Sequence, residues 1–482
     1  MAAPTESDAP TFPIERDPKL RLLIPVIVAI GFGMEGIDTT IITTAIPAMA
    51  KSLHSTPLGM SLAVTTYVLV LAVFIPVSGW FADRFSARRV FAVALLTFTA
   101  GSVLCGLALD LPMLIAARAL QGLGGAMMTP VGRLILLRSF PREQLVTAMT
   151  YMTLPAIIGP IIGPLLGGAL TTYASWRWAF FINVPFGLAG AFLALRFVTE
   201  SSDATRRRFD FTGFLLVGAG IALLQFALEA FGRGAAPTQV VVAMLAAAGG
   251  LLVAFVFHAR RTALPAVDLG LFRDRAFRVG TLAGGLCRVG MNGTPFLLPL
   301  MLQVGFGVSP VVSGLMTFVG AAGAVMVRPV LTRLLRGLGF DRLLIGSAAA
   351  GAAATAGFGL MGPATPHLLI AGYVMAFGLL RSVQFMSSNT LAYADLPPEK
   401  LSGATSVGGM LQQLSVSFGV SLAATALGLF AGPRHLLTPQ HFHEAFFALG
   451  VVPLLGIPGF FTLRPQDGVR VSSHVRQRKS SS

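Results

Sequence analysis

Charge is scarce in this chain. Asp, Glu, Lys and Arg make up 11% of its 482 residues, whereas 54% are hydrophobic and the mean hydropathy is +0.77. Soluble domains carry roughly 25% charged residues, so a water-soluble globular protein is excluded and a chain dissolved in lipid is expected. Cysteine is scarcer still. Cys105 and Cys287 each fall inside an apolar run, which leaves neither a disulfide framework nor a zinc spacing. The seven histidines lie in polar links, near the ends of apolar runs or in the tail. There is no H-E-x-x-H, no phosphate-binding glycine loop followed by Lys, and no link long enough for a soluble output domain. Those absences argue against a membrane enzyme, direct ATP drive and a sensor, and no cofactor or metal is expected. Residues 1–18 are polar and lack the apolar region of a signal peptide.

What is present is a series of apolar runs of about 20 residues or more, the length that crosses a bilayer as a helix. Fourteen are expected: 22–50, 57–82, 89–109, 112–138, 144–172, 177–199, 211–231, 238–258, 277–304, 310–332, 343–361, 367–394, 402–431 and 443–463. Basic residues are distributed unequally between the links. One set holds Arg16, Lys19 and Arg21; Arg84, Arg88 and Arg89; Arg138 and Arg142; Arg206, Arg207 and Arg208; Arg260, Arg261, Arg273, Arg275 and Arg278; Arg333, Arg336 and Arg342; and the tail from Arg464 to Lys479. The opposite set holds only Lys51, Arg177, Arg233 and Arg434. The positive-inside rule then puts both termini in the cytoplasm. The net charge of +15 is thereby explained by topology, and no nucleic-acid partner is implied.

The first span carries two carboxylates, Glu35 and Asp38, within GFGMEGIDTTIITTAIPAMA (31–50). Three residues apart on a helix, they lie about 60° from one another on one face. A charge at bilayer depth costs roughly 2.5–3.5 kcal/mol on insertion scales. Two ionised carboxylates about 5 Å apart would repel by roughly 3 kcal/mol at an effective dielectric of ~20. One proton shared by the pair is the inexpensive state, and such a pair can carry protons. Arg118 in the fourth span needs a partner or water, and Asp38 and Glu35 are the natural candidates; snorkelling to the interface is the alternative.

Four further stretches carry a family resemblance. GWFADRFSARR (79–89) supplies Gly79, Asp83, Arg84, Arg88 and Arg89, with Gly79 expected to let helices approach. This stretch resembles motif A of the major facilitator superfamily, with Ser86 at the usual second glycine. RPVLTRLLRGLGFDRLL (328–344) is a degenerate echo in the second half, as expected of a chain built from repeats. RALQGLGGAMMTPVGR (118–133), with Arg118 and Gln121 on one face, is similar to motif B of the proton antiporters. In GPIIGPLLGG (159–168), Gly159, Gly163 and Gly167 form a stripe without side chains; Pro160 and Pro164 remove two backbone donors, and Gly168 closes the string. The string resembles motif C of exporters. SWRWAFFINVPFG (175–187) is similar to the signature of the fourteen-span drug:proton antiporters, with Trp176 and Trp178 expected at the outer interface.

The resemblance implies an all-α integral membrane protein of fourteen helices, two six-helix bundles with an inserted pair. The expected divisions are 1–21, a cytoplasmic segment; 22–199, the first bundle; 200–276, the linker with two additional spans; 277–463, the second bundle; and 464–482, a basic tail. It implies a secondary transporter in the bacterial inner membrane, working as a monomer, which exports small molecules in exchange for protons by alternating access. A same-fold importer with other coupling is the alternative. Proton coupling would fall to Asp38, Glu35 and Arg118.

Arg288, Asn292, Arg381 and Gln384 lie mid-span in the second half and, with Gln121, are candidate cavity groups. Three arginines against two carboxylates point to an anionic, zwitterionic or polar neutral substrate. Glu229 and Arg233, four apart, are expected to form an interfacial ion pair, with a transport role the alternative. His435, His441, His443 and Glu444 cluster in the last outer link, more simply as an exposed loop than as a metal site.

Overall fold

A computed structural model describes residues 20–141, 144–199, 209–432, 437–464 and 467–468. Residues 1–19 of the expected segment 1–21, residues 200–208 of the expected linker and the expected tail beyond 468, with Arg142, Arg206, Arg207, Arg208, Arg434 and His435, lie outside the described residues, as does the side chain of Arg328. The described secondary structure is entirely helical. In a bilayer this follows from the need to satisfy every backbone N–H and C=O within the segment.

Twelve described helices are long and apolar enough to cross a membrane. They are α1 (Leu20–Thr44), α2 (Ser61–Phe85), α3 (Ala87–Gly106), α4 (Leu111–Ser139), α5 (Ala148–Tyr173), α6 (Trp178–Phe197), α7 (Phe211–Gly232) and α8 (Thr238–Arg261), then α11 (Val330–Leu360), α12 (His367–Ala394), α13 (Glu399–Ala431) and α14 (Pro439–Phe460). Two of the expected fourteen depart from that pattern. The stretch expected at 277–304 is interrupted: π turns at Val279–Ala283 and Met301–Gly305 flank α9 (Gly284–Asn292) and a short helix Thr294–Leu300. Pro299 inside that short helix lacks a donor, and π turns absorb such defects. The next helix, α10 (Pro310–Met326), has 17 residues.

Side chains in the links cap the helices. Asp110 accepts the Met113 N–H at 2.8 Å to start α4, and Asp210 accepts the Gly213 N–H at 2.8 Å to start α7. Asp210 also receives the Ala266 N–H at 3.1 Å and meets His258 at 2.7 Å, clasping the links on either side of α7 and α8. The large exposed residues Val93, Phe192, Val242 and Phe257 form the surface that lipid would cover.

The same packing occurs twice. In the first half α1 lies on α5, α2 on α4, and α3 on α4 and α6; in the second, α9 lies on α13, α10 on α12, and α11 on α12 and α14. The echo of motif A has a backbone counterpart. The chain turns between α2 and α3 at Ser86, with φ 75° and ψ 130°, and within α11 at Gly339, with φ 74° and ψ 171°. Both lie in the region that favours glycine. Ser86 makes no cap bond, and its hydroxyl is buried without a partner. A non-glycine residue held there costs on the order of 1–3 kcal/mol, partly offset by the extra chain entropy of glycine. Ser86→Gly is therefore expected to raise the thermal unfolding midpoint in detergent by about 2 °C; a lowered midpoint would contradict the assignment of strain.

The halves interlock on the side away from these turns. A Cβ on Gly168 of α5 would meet the Pro310 carbonyl, and one on Gly314 of α10 would meet the Pro164 carbonyl. Gln303 Nε2 donates to the Thr44 carbonyl at 3.0 Å. α13 packs along α2, and α7 lies beside both.

Candidate functional site

Asp38 is fully buried. Its Oδ2 accepts Arg118 Nη1 at 2.6 Å, and its Oδ1 accepts Gln121 Nε2 at 2.7 Å and Asn183 Nδ2 at 3.5 Å. Arg118 is 1% exposed. Its Nε donates to the Ala63 carbonyl at 3.1 Å, Nη1 also reaches Gln121 Oε1 at 2.6 Å, and the guanidinium lies 4.0 Å from the Tyr67 ring centroid. Gln121 and Asn183 both donate to Ser102, at 2.7 and 3.3 Å. A buried ion pair is stable only when its remaining donors and acceptors are met. Here α1, α2, α3, α4 and α6 each contribute to meeting them, and the ring face adds a cation–π contact.

Glu35 is placed otherwise. It is half-buried, accepts the hydroxyl of Thr129 on α4, and receives Gln413 Nε2 from α13 at 3.4 Å. That last bond crosses from the first half to the second. Glu35 belongs to none of the described ion pairs. The two carboxylates on α1 thus have separate partners and do not hydrogen-bond to each other. Arg118 chooses Asp38, and the snorkelling alternative is not taken.

In the second half, Arg381 is half-buried and its Nη1 donates to Asn292 Oδ1 at 3.2 Å. Arg288, one turn before Asn292, is 6% exposed; its Nε has no partner, and its guanidinium lies 5.8 Å from the Phe385 ring. Neither arginine belongs to a described ion pair.

Two expected cavity groups are elsewhere. Gln121 is fully buried inside the Asp38 network, and Gln384 is fully buried in the second bundle, bonded to Ser347 and, at 3.4 Å, to Ser388. Tyr67, Ser102, Thr129 and Asn183 belong to the site and were not anticipated. Asn183, an amide in the apolar run of α6, was the readable signal.

On the basic side, Asp83 pairs with Arg138 at 2.8 Å, while Arg84 and Arg89 are exposed. Gly79 is exposed and a Cβ there would touch nothing, so it is not a point of helix approach. A cavity of about 1150 Å³ lies beside Asp83 and Arg138, lined also by Phe81, Arg89 and Met127; it holds none of the central charges. The exporter-like string does make close contacts. Gly159, Gly163 and Gly167 receive the backbone or threonines of α1, and Gly168 receives α10.

Trp178 is exposed, whereas Trp176 is buried against Phe180 and so is not free to anchor at an interface. His441 closes a capping box with Thr438, and His443 meets the Met361 carbonyl at 2.7 Å. Among the described residues no cluster could hold a metal.

Comparison with known proteins gives this geometry a family. The model described as Major Facilitator Superfamily matches residues 28–420. The chain is 39% identical over 466 residues to the putative multidrug resistance protein MdtD of Escherichia coli O6:H1, covering 94% of this chain and 97% of that one. The MdtD of Klebsiella pneumoniae strain 342 is 38% identical over 457 residues, with the same two shares. Among solved structures, a POT family peptide transporter superposes with TM-score 0.66 at 14% identity, covering 92% of this chain and 98% of that one. The nucleoside transporter NupG gives 0.61 at 17% identity, covering 92% and 100%. The chain is a multi-pass membrane transporter and belongs to the major facilitator superfamily.

Proposed function

We propose that the protein exports small molecules, drugs among them, in exchange for protons by alternating access. The observation that carries the coupling is the division of labour on α1: Asp38 is sealed with Arg118, while Glu35, in none of the described ion pairs, bridges the two halves. Glu35 is the group that takes and releases the transported proton. Asp38 is the fixed counterion that lets Arg118 stay buried. The relatives' name supports the drug-export direction, as does the exporter-like string packed where α5 meets α10.

The substrate reading follows from the repeat. Counting within each half, α1 and α4 are the first and fourth helices, and α9 and α12 are their equivalents. The first half pairs Asp38 with Arg118; the second offers Arg381 only the neutral Asn292. A cation in a membrane span without a counterion is costly, so an anionic group of the substrate completes that site, with Arg288 a turn away. An ionised Glu35 suits a cationic group. A zwitterion meets both, and its cation competes with the proton for Glu35, which is the exclusion that antiport needs.

The remaining proposals are of organisation. Fourteen spans are counted by adding the interrupted stretch 277–304 and α10 to the twelve, with six-helix bundles over 22–199 and 277–463 and α7–α8 inserted between them. The termini and the basic turns face the cytoplasm of a bacterial inner membrane, so α5 and α10 interlock on the outside, and one chain suffices. Inverted vesicles test the direction. A zwitterionic drug is expected to accumulate when the lumen is made acidic, and a protonophore to stop it; accumulation only under the opposite gradient would overturn export.

A further inference from the structure

The inserted helix α7 carries a carboxylate that the coupling centre does not use. Glu229 is 1% exposed. Its Oε2 accepts the Ser61 hydroxyl at 2.8 Å and its Oε1 the Thr65 hydroxyl at 3.2 Å, both from α2. Ser421 of α13 stands near the same carboxylate, short of hydrogen-bond contact. The ion pair expected with Arg233 does not form: Arg233 Nε donates to the backbone carbonyl of Glu229 at 3.3 Å, and Glu229 belongs to none of the described ion pairs. The other facing stretches add little charge. Residues 61–74 of α2 carry only Tyr67, which lies under Arg118, and 238–257 of α8 and 411–431 of α13 carry no ionisable side chain.

The position of this group matters because α7 is fastened to both halves. Towards α13, Gln225 Nε2 donates to the Ser417 carbonyl at 3.4 Å and Thr425 Oγ1 to the Leu228 carbonyl at 3.2 Å. A Cβ on Gly428 would meet the Gly232 carbonyl, so the two backbones are in close contact. Towards α2 the polar fastening is Glu229 itself. Directly between the halves, Ser417 Oγ donates to the Thr65 carbonyl at 3.3 Å. If α2 and α13 part at this end, α7 stays with α13, and Glu229 loses Ser61 and Thr65 and meets water.

We propose that Glu229 is a proton-binding latch on the outer seam between α2 and α13, binding a proton as the seam closes and releasing it as the seam opens. In the closed seam the carboxylate has hydroxyl donors but no contacting cation, and water cannot reach it, so the neutral acid is favoured. Exposed to water, the anion is favoured. An acidic exterior then closes the outer side through a group on the inserted pair, apart from the exchange at Glu35. The inference rests on the alternating-access reading above.

Spin labels at Tyr173→Cys on α5 and Leu368→Cys on α12 report the opening, since both positions are exposed and the native cysteines are buried. Distances are measured in nanodiscs from mildly acidic to mildly alkaline pH. The wild type is expected to gain outer-open population as pH rises. Glu229→Gln, a neutral side chain that can accept from one hydroxyl and donate to the other, is expected to stay closed and lose this response.

The paired substitution Ser61→Ala with Thr65→Val removes donors that favour the anion, and is expected to move the midpoint up by about one pH unit. A Glu229→Gln profile that matches the wild type overturns the latch, as does a midpoint unmoved by the paired substitution. A distance that never changes, with or without substrate, overturns alternating access and the latch with it.

Discussion

Glu35→Gln is expected to yield a transporter that inserts normally, still binds substrate, and no longer exchanges it for protons. Glutamine can accept from Gln413 through its Oε1 and donate to the Thr129 hydroxyl through its Nε2, so the contact between α1, α4 and α13 survives the substitution. What is lost is the titratable group. Uptake into inverted vesicles should no longer rise when the lumen is acidified, while equilibrium exchange of labelled for unlabelled substrate continues.

Asp38→Asn should behave differently. It removes the counterion of a guanidinium that is 1% exposed, and breaking a buried pair costs about 3–5 kcal/mol. Reduced thermal stability, together with loss of both exchange and net transport, is the expected pattern. If Asp38→Asn instead left a stable protein defective in coupling alone, and Glu35→Gln coupled normally, the two roles would have to be reversed.

The second large effect concerns the arginines of the second half. Arg381→Gln is expected to weaken binding of a zwitterionic compound on the order of thirtyfold or more, the consequence of removing one member of a desolvated charge pair. The methyl ester of the same compound, which lacks the anionic group, should be affected far less. Wild-type protein should therefore prefer the acid to the ester, and the variant should lose that preference. Arg288→Gln should act in the same sense, because the unpartnered Nε of Arg288 lies a turn from Asn292 on α9. Equal losses for acid and ester would show that the arginines hold the second bundle together and do not read the substrate.

That Arg118 would pair with a carboxylate of α1 was legible in the sequence, because a buried guanidinium in a membrane span needs an anion and few were within reach; the choice of Asp38 over Glu35 was not. Twelve of the fourteen expected spans were legible for the same kind of reason: runs of that length and apolarity have few other fates. The faces of those helices were not. Gln121 and Gln384 read as cavity groups, yet both point into their own bundles. In a helix apolar on every side, periodicity does not distinguish the lipid face, the bundle interior and the seam.

Spacing misled in the same way at Glu229 and Arg233. An i, i+4 relation permits an ion pair, but the serine and threonine hydroxyls of α2 take the carboxylate. The interruption of the stretch 277–304 depended on how backbone defects near Pro299 are absorbed, which hydropathy does not report. Ser86 was a visible departure from the motif, and the structure gives it a physical meaning: the turn keeps its left-handed geometry without the glycine.

The central claim is that substrate and proton compete at Glu35, and proton release on substrate binding tests it most directly. Purified transporter in weakly buffered detergent solution, with a pH-sensitive dye, receives a saturating zwitterionic substrate near neutral pH. The account predicts that the wild type releases protons and that Glu35→Gln binds the same substrate with no release. Undiminished release from the Glu35→Gln variant would contradict it, and would move the exchanged proton to another group.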